Sequence, residues 1–152
     1  MREIINTMYK YEEVFDICKK YFNGDELATT VLINKHLLRD KDGNLLENHP
    51  DQLFNRISSE FERIEKKYNN PLTKEEIYDA IKDFKYIIPQ GSPLFGIGNN
   101  NQLTSLANCF VIESPEDSYG GIIQKDEELA QIMKRRGGVG IDISSLRPKD
   151  VS

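Results

Sequence analysis

The fold is decided by residues 107–143, which read ANCFVIESPEDSYGGIIQKDEELAQIMKRRGGVGIDI. The short apolar segment Ala107–Ile112 predicts a strand, and Val139–Ile143 predicts a second one. Between them, Ser114–Asp117 supplies a helix start with negative charge at the positive end of the helix dipole, and the glycines at 137–138 end the helix. A strand, a helix and a strand in this order form a βαβ unit, so we expect a parallel pair that belongs to a larger sheet.

The residues before Pro89 predict a small helical domain. Apolar side chains recur at helical spacing over residues 11–22, and Asn23-Gly24 can end that helix. Further helices are expected to begin at three residues that cap or start helices: Asp25, Pro50 and Thr73. An Asp-Gly turn at residues 42–43 predicts two short extended pieces between the second and third helices.

The character of the sequence changes at Pro89. Residues 90–101 are rich in Gly, Ser, Pro and Asn, so we expect a loop whose anchors are Leu94, Phe95 and Ile97. With the βαβ unit, this pattern predicts an α+β protein. A helical domain at residues 1–88 is expected to precede a second domain at residues 89–152.

Composition and charge exclude several functions. The chain has 152 residues, of which 30% are charged, and a net charge of −5. A general polyanion such as nucleic acid is therefore a poor partner. No apolar run approaches the roughly 20 residues that cross a bilayer, and Met1-Arg2-Glu3 does not resemble the start of a signal peptide. We expect a cytoplasmic protein without a membrane partner.

The two cysteines, Cys18 and Cys109, need separate interpretations, because their spacing suits neither a disulfide framework nor a zinc site. Cys18 lies on the apolar stripe of the first helix and is expected to be a small core residue. Cys109 lies in a strand directly after a polar loop, so it is either a buried strand residue or a functional thiol. No metal site is predicted, since His36 and His49 have no further ligands at a suitable spacing.

Five sequence blocks occur in a characteristic order. They are Leu38–Glu47 (LRDKDGNLLE), Ile88–Phe95 (IPQGSPLF), Leu106–Ile112 (LANCFVI), Pro115–Ser118 (PEDS) and Arg136–Pro148 (RGGVGIDISSLRP). This combination resembles the N-terminal part of the ribonucleotide reductase large, catalytic subunit over roughly residues 35–150. The third and fifth blocks are most similar to the adenosylcobalamin-dependent members.

The resemblance implies a fold and an activity. Residues 89–152 would be the first strands and helix of a ten-stranded α/β barrel, left incomplete in this chain. The activity would be conversion of ribonucleotides to deoxyribonucleotides by thiyl-radical chemistry. Cys109 would be the first redox cysteine, which forms a disulfide with a partner cysteine and is reset by a thioredoxin-type reductant.

The resemblance also implies binding sites and partners. Ser92, Ala107, Asn108 and Gly138 would contact the ribonucleotide substrate. Asp117, Lys134 and Arg147 would bind a deoxynucleotide effector. The helix at residues 118–133 would form a homodimer interface. Adenosylcobalamin is the implied radical source, and a subunit that carries a metal and a radical is the alternative; the contacts with either would lie outside this chain.

From the resemblance we expect the thiyl cysteine, the second redox cysteine and most of the barrel to lie outside these 152 residues, and we expect no ATP-cone domain before the helices. We therefore expect the chain to need the remaining C-terminal part of the subunit and to be inactive alone. The alternative is a nonenzymatic nucleotide-binding or adaptor module derived from the same fold.

Overall fold

The computed structural model describes residues 8–150, which divide between Gln102 and Leu103 into two compact units. We call them the helical unit, residues 8–102, and the strand unit, residues 103–150. The helical unit contains α1 (Tyr11–Tyr21), α2 (Glu26–Lys35), α3 (Pro50–Glu65), α4 (Lys74–Ile81), a 3₁₀ turn (Lys82–Phe84) and α5 (Gly91–Gly96). The strand unit contains β1 (Cys109–Ile112), α6 (Tyr119–Met133) and β2 (Gly138–Ile141). None of the helices within residues 8–150 has the length and apolar character to cross a membrane.

The helix starts of the helical unit follow from side chains that satisfy backbone N–H groups. The Asp25 carboxylate accepts a hydrogen bond from the Ala28 N–H at 2.9 Å. At the start of α4, Thr73 and Glu76 form a reciprocal capping box. These contacts, and the Pro50 start of α3, confirm the three starts predicted from sequence.

The core of the helical unit lies among α1, α2 and α3. Its buried apolar side chains include Val14, Cys18, Ile33, Leu53, Phe54 and Ile57. The predicted Asp-Gly turn is present, with Gly43 at φ +88° and an antiparallel bridge between Arg39 and Leu45. Helical spacing and local turn chemistry therefore account for most of this unit.

The segment expected to be a loop at residues 90–101 instead contains the helix α5. Leu94 and Phe95 are each only 6% exposed, which confirms them as anchors. The compact unit that contains these side chains extends to Gln102, and the domain boundary expected after residue 88 stays a prediction. The assignment of residues 89–152 to the start of a barrel stays a prediction.

The strand unit is a βαβ unit. β1 and β2 pair in parallel, with Cys109 opposite Gly138 and Ile112 opposite Ile141, as the sequence pattern predicted. The helix α6 begins later than expected, because the hydroxyl of Ser118, rather than a residue of the preceding acidic segment, caps it by accepting from the Gly121 N–H. The result, within residues 8–150, is an open sheet of two strands, and the ten-stranded barrel stays a prediction.

The strand unit buries very little apolar surface. Its buried positions within residues 103–150 are Pro115, Gly121 and Gly137, whereas Val111 in β1 is 89% exposed. The strands also leave backbone edges unpaired. We expect β1 and β2 amides to exchange with solvent at least about tenfold faster than core amides of α1 and α3 in the monomeric chain. Equal protection of both units in a hydrogen-exchange experiment on a proven monomer would contradict this.

Candidate functional site

The amino ends of β1 and β2 bring several predicted site residues together. The parallel register sets Cys109 opposite Gly138, and the Gly138 N–H donates to the Asn108 carbonyl oxygen at 2.6 Å. Cys109 is exposed, as are Ala107 and Gly138. The Cys109 thiol is therefore accessible in the described residues, and its role as a functional thiol stays a prediction.

The two cysteines occupy opposite environments. Cys18 is fully buried in the core of the helical unit, and its Sγ lies 3.7 Å from the Asn48 carbonyl oxygen. Burial raises the pKa of the Cys18 thiol to about 11, because the apolar surroundings disfavour the thiolate. Cys18 is thus the core residue that helical spacing predicted.

This contrast predicts selective alkylation. At pH 8 iodoacetamide should modify Cys109 rapidly and Cys18 at least about tenfold more slowly, since the thiolate is the nucleophile and Cys18 is both inaccessible and largely protonated. Peptide mass spectrometry after timed quenching measures both rates. The rates should become similar in denaturant, and equal rates in the native chain would contradict the burial of Cys18.

The loop and glycines beside Cys109 have roles within the strand unit. The Ala107 N–H already donates to the Ser105 hydroxyl at 3.0 Å, so a substrate would have to compete for this amide. A Cβ at Gly137 would lie 2.7 Å from side-chain atoms of Ile132 and Phe110. Close packing therefore explains Gly137, while the exposed Gly138 is better placed to meet a ligand.

The carboxyl ends of the same strands lead to a second group of predicted residues. Arg147 donates from Nε to Asp117 Oδ2 at 2.8 Å, and the Ser145 hydroxyl donates to the Pro115 carbonyl oxygen at 2.6 Å. These contacts join the segments that follow β1 and β2. They border an open cavity of about 440 Å³ lined by Asp117, Ser118, Tyr119, Ile122, Leu146 and Arg147.

Lys134 does not join this group within one chain. It is the residue directly after α6, whereas Asp117 lies just before Ser118, the residue that caps the start of that helix. Fifteen helical residues at about 1.5 Å each separate the two ends by roughly 22 Å. The structure therefore brings Asp117 and Arg147 together but leaves Lys134 at the other end of α6.

Ser92 lies in the helical unit, in the first turn of α5, and is 4% exposed. Sequence reasoning did not find the residue that holds this helix, which is Arg56. Its guanidinium donates to the carbonyl oxygens of Leu94, Phe95 and Ile97, and its Nε donates to Glu47 Oε1 at 2.8 Å. The sequence did contain a signal for this role, because Arg56 is a charged residue among the apolar positions of α3 and follows Glu47 by nine residues.

Comparison with known proteins identifies relatives for both units. Residues 107–152 match the family model for the ribonucleotide reductase barrel domain. The whole chain is similar to a ribonucleoside-diphosphate reductase large chain of Neurospora crassa, at 25% identity over 96% of this chain and 15% of that protein. The large subunit of Trypanosoma brucei brucei is 27% identical over 97% of this chain and 16% of that protein. The Cryptosporidium parvum large chain is 28% identical over 96% of this chain and 16% of that protein.

These relatives support the expected similarity to a ribonucleotide reductase large subunit but not the expected radical source. They are named as large chains or large subunits, which implies a second kind of subunit, so the expected likeness to adenosylcobalamin-dependent members is not supported. The chain spans about one sixth of the length of these relatives. Residues 107–152 are thus similar to part of the ribonucleotide reductase barrel domain, and the chain as a whole is similar to a limited part of a ribonucleoside-diphosphate reductase large chain.

Proposed function

We propose that this chain is part of a ribonucleoside-diphosphate reductase large subunit, which converts ribonucleotides to deoxyribonucleotides, and that it is inactive by itself. The observation that carries the proposal is the match of residues 107–152 to the barrel domain. The exposed thiol of Cys109 within that match supports it. The names of the relatives favour a diphosphate substrate.

In the proposed reaction, a thiyl radical on a cysteine outside this chain removes the 3′ hydrogen of the substrate ribose. The 2′ hydroxyl leaves as water, and Cys109 with a partner cysteine supplies two electrons and two protons and becomes a disulfide. The cysteine that took the 3′ hydrogen then returns it to the sugar and becomes a thiyl radical again. A thioredoxin-type reductant then restores both thiols by exchange. Ser92, Ala107, Asn108 and Gly138 are the proposed substrate contacts.

The Asp117 cavity is the proposed effector site. A carboxylate accepts hydrogen bonds from sugar hydroxyls, and a guanidinium binds phosphate oxygens, so Asp117 and Arg147 suit a deoxynucleotide. Lys134 can contribute if two copies pair through α6 in antiparallel orientation, because its end of one helix then lies beside the Asp117 end of the other. Tyr119, Ile123 and Met133 on α6 are 87%, 66% and 62% exposed and offer apolar surface for this homodimer.

A partner subunit that carries a metal and a radical is the proposed radical source. The two-subunit naming of the relatives favours it over adenosylcobalamin. Neither source is expected to contact residues of this chain.

Reconstitution tests the proposed function. The complete subunit that contains this chain is supplied with a dithiol, an effector and either a metal-radical subunit or adenosylcobalamin. Formation of deoxyribonucleoside diphosphate with the metal-radical subunit is the expected result, and turnover with adenosylcobalamin alone would reverse the choice of radical source. Nucleotide binding without reduction under every condition would favour the nonenzymatic binding module.

A further inference from the structure

The guanidinium of Arg56 is buried at the centre of the helical unit and is fully engaged. Its side chain is 9% exposed, and that of its ion-pair partner Glu47 is 6% exposed. Nε and Nη2 face the Glu47 carboxylate at 2.8 and 3.4 Å. Glu47 Oε2 also accepts from the Leu38 N–H at 2.8 Å, which fixes the carboxylate against the turn between α2 and α3.

Besides one contact of 3.4 Å from Nη2 to the His36 carbonyl oxygen, the remaining N–H groups of Arg56 point at backbone carbonyls of one short segment. Nη2 donates to the Leu94 oxygen at 3.4 Å, and Nη1 donates to the Phe95 oxygen at 3.3 Å and to the Ile97 oxygen at a shorter distance. These are carbonyls at the carboxyl end of α5, which have no further helical turn to bond to. Arg56 therefore satisfies the end of this helix from a different part of the chain.

The helix α5 depends on such support. It has six residues with the sequence GSPLFG, which is too short to be stable alone and is poor in helix-forming side chains. Gly98, just after it, has φ +73°, and a Cβ there would lie 2.8 Å from Arg56 Cγ. The backbone thus closes against the stem of Arg56 as well as against its guanidinium.

We propose that Arg56, oriented by Glu47, is a positioning residue for substrate binding: it fixes α5 so that Ser92 is held where the substrate phosphate is bound. This inference rests on the proposed function, in which Ser92 contacts substrate. A planar guanidinium with several fixed donors can hold four carbonyls and a carboxylate at once, whereas a lysine ammonium retains the charge without that geometry. Arg56 itself does not touch the reacting atoms.

The test compares Arg56→Lys with Arg63→Lys in the reconstituted subunit. Arg63 lies on the same helix and forms an exposed ion pair with Glu60, so its change controls for loss of a guanidinium on α3. We expect Arg56→Lys to raise the KM for the ribonucleoside diphosphate about tenfold with kcat changed less than about twofold, and Arg63→Lys to change neither. Effector affinity should stay the same in both variants.

Two further variants keep the result decisive if Arg56→Lys is unstable. Gly98→Ala changes neither member of the Glu47–Arg56 ion pair. Its Cβ would press on the Arg56 stem and its φ of +73° is strained for alanine, so we expect it also to raise KM. Combining either change with Ser92→Ala should add no further increase, because both act through the same side chain.

The outcomes separate this inference from the proposed function. If wild-type subunit reduces nucleotides but Arg56→Lys and Gly98→Ala lower only the melting temperature and leave KM unchanged, Arg56 is purely structural and the inference is wrong. If the KM increase of Arg56→Lys or Gly98→Ala instead multiplies with that of Ser92→Ala in the combined variant, Arg56 does not act through Ser92 and the inference is likewise wrong. Absence of turnover in wild type would instead count against the proposed function.

Discussion

We expect Cys109→Ser to lower the multiple-turnover rate of the complete reductase by on the order of a thousandfold or more, while the protein still folds and binds effector. The reason is chemical, because a hydroxyl cannot form the disulfide that delivers the electrons. The structural cost should be small, since Cys109 is exposed at the amino end of β1. Turnover assays with excess dithiol, together with thermal melting, measure both effects.

Cys18→Ser is the matched control for this prediction. Cys18 is fully buried, so a serine hydroxyl there should cost about 1–3 kcal/mol of unfolding free energy. Activity per folded molecule should be unchanged, because Cys18 lies in the helical core and its raised pKa keeps it protonated at neutral pH. Full multiple-turnover activity of Cys109→Ser would remove Cys109 from the proposed mechanism.

Local sequence signals predicted those parts of the fold that local contacts stabilise. The caps at Asp25 and Thr73 are bonds between residues three positions apart, so the sequence pattern contains both partners. The strand, helix and strand at the end of the chain were equally readable, since each short element is bounded by polar or glycine residues. The exposure of Cys109 and its register with Gly138 emerged only from the pairing of the strands.

Long-range contacts explain what the sequence did not predict. The helix α5 is held by hydrogen bonds from Arg56 to residues 38 to 41 positions away, and no local pattern in GSPLFG indicates them. The same separation explains why residues 90–102 belong to the helical unit. For Lys134, the resemblance supplied a role but not a location, and the length of α6 places it far from Asp117.

Glu47→Ala should lower the free energy of unfolding of the helical unit by about 3–5 kcal/mol, because it leaves the buried Arg56 charge without its counter-ion. Urea unfolding followed by circular dichroism gives this value. Glu60→Ala is the control on an exposed ion pair with Arg63, and it should change the unfolding free energy little.

The double variant Glu47→Leu, Arg56→Met distinguishes the two ways in which this pair can stabilise the unit. Replacing both charges by apolar side chains removes the desolvation penalty, so an ion pair that mattered only through its charges would be replaced without loss. Arg56 also donates to the carbonyl oxygens of Leu94, Phe95 and Ile97, and these lose their donor in the double variant. We therefore expect the double variant to recover only part of the stability lost in Glu47→Ala, with amide exchange accelerated specifically at residues 91–98. Full recovery with unchanged exchange there would show that α5 does not depend on Arg56.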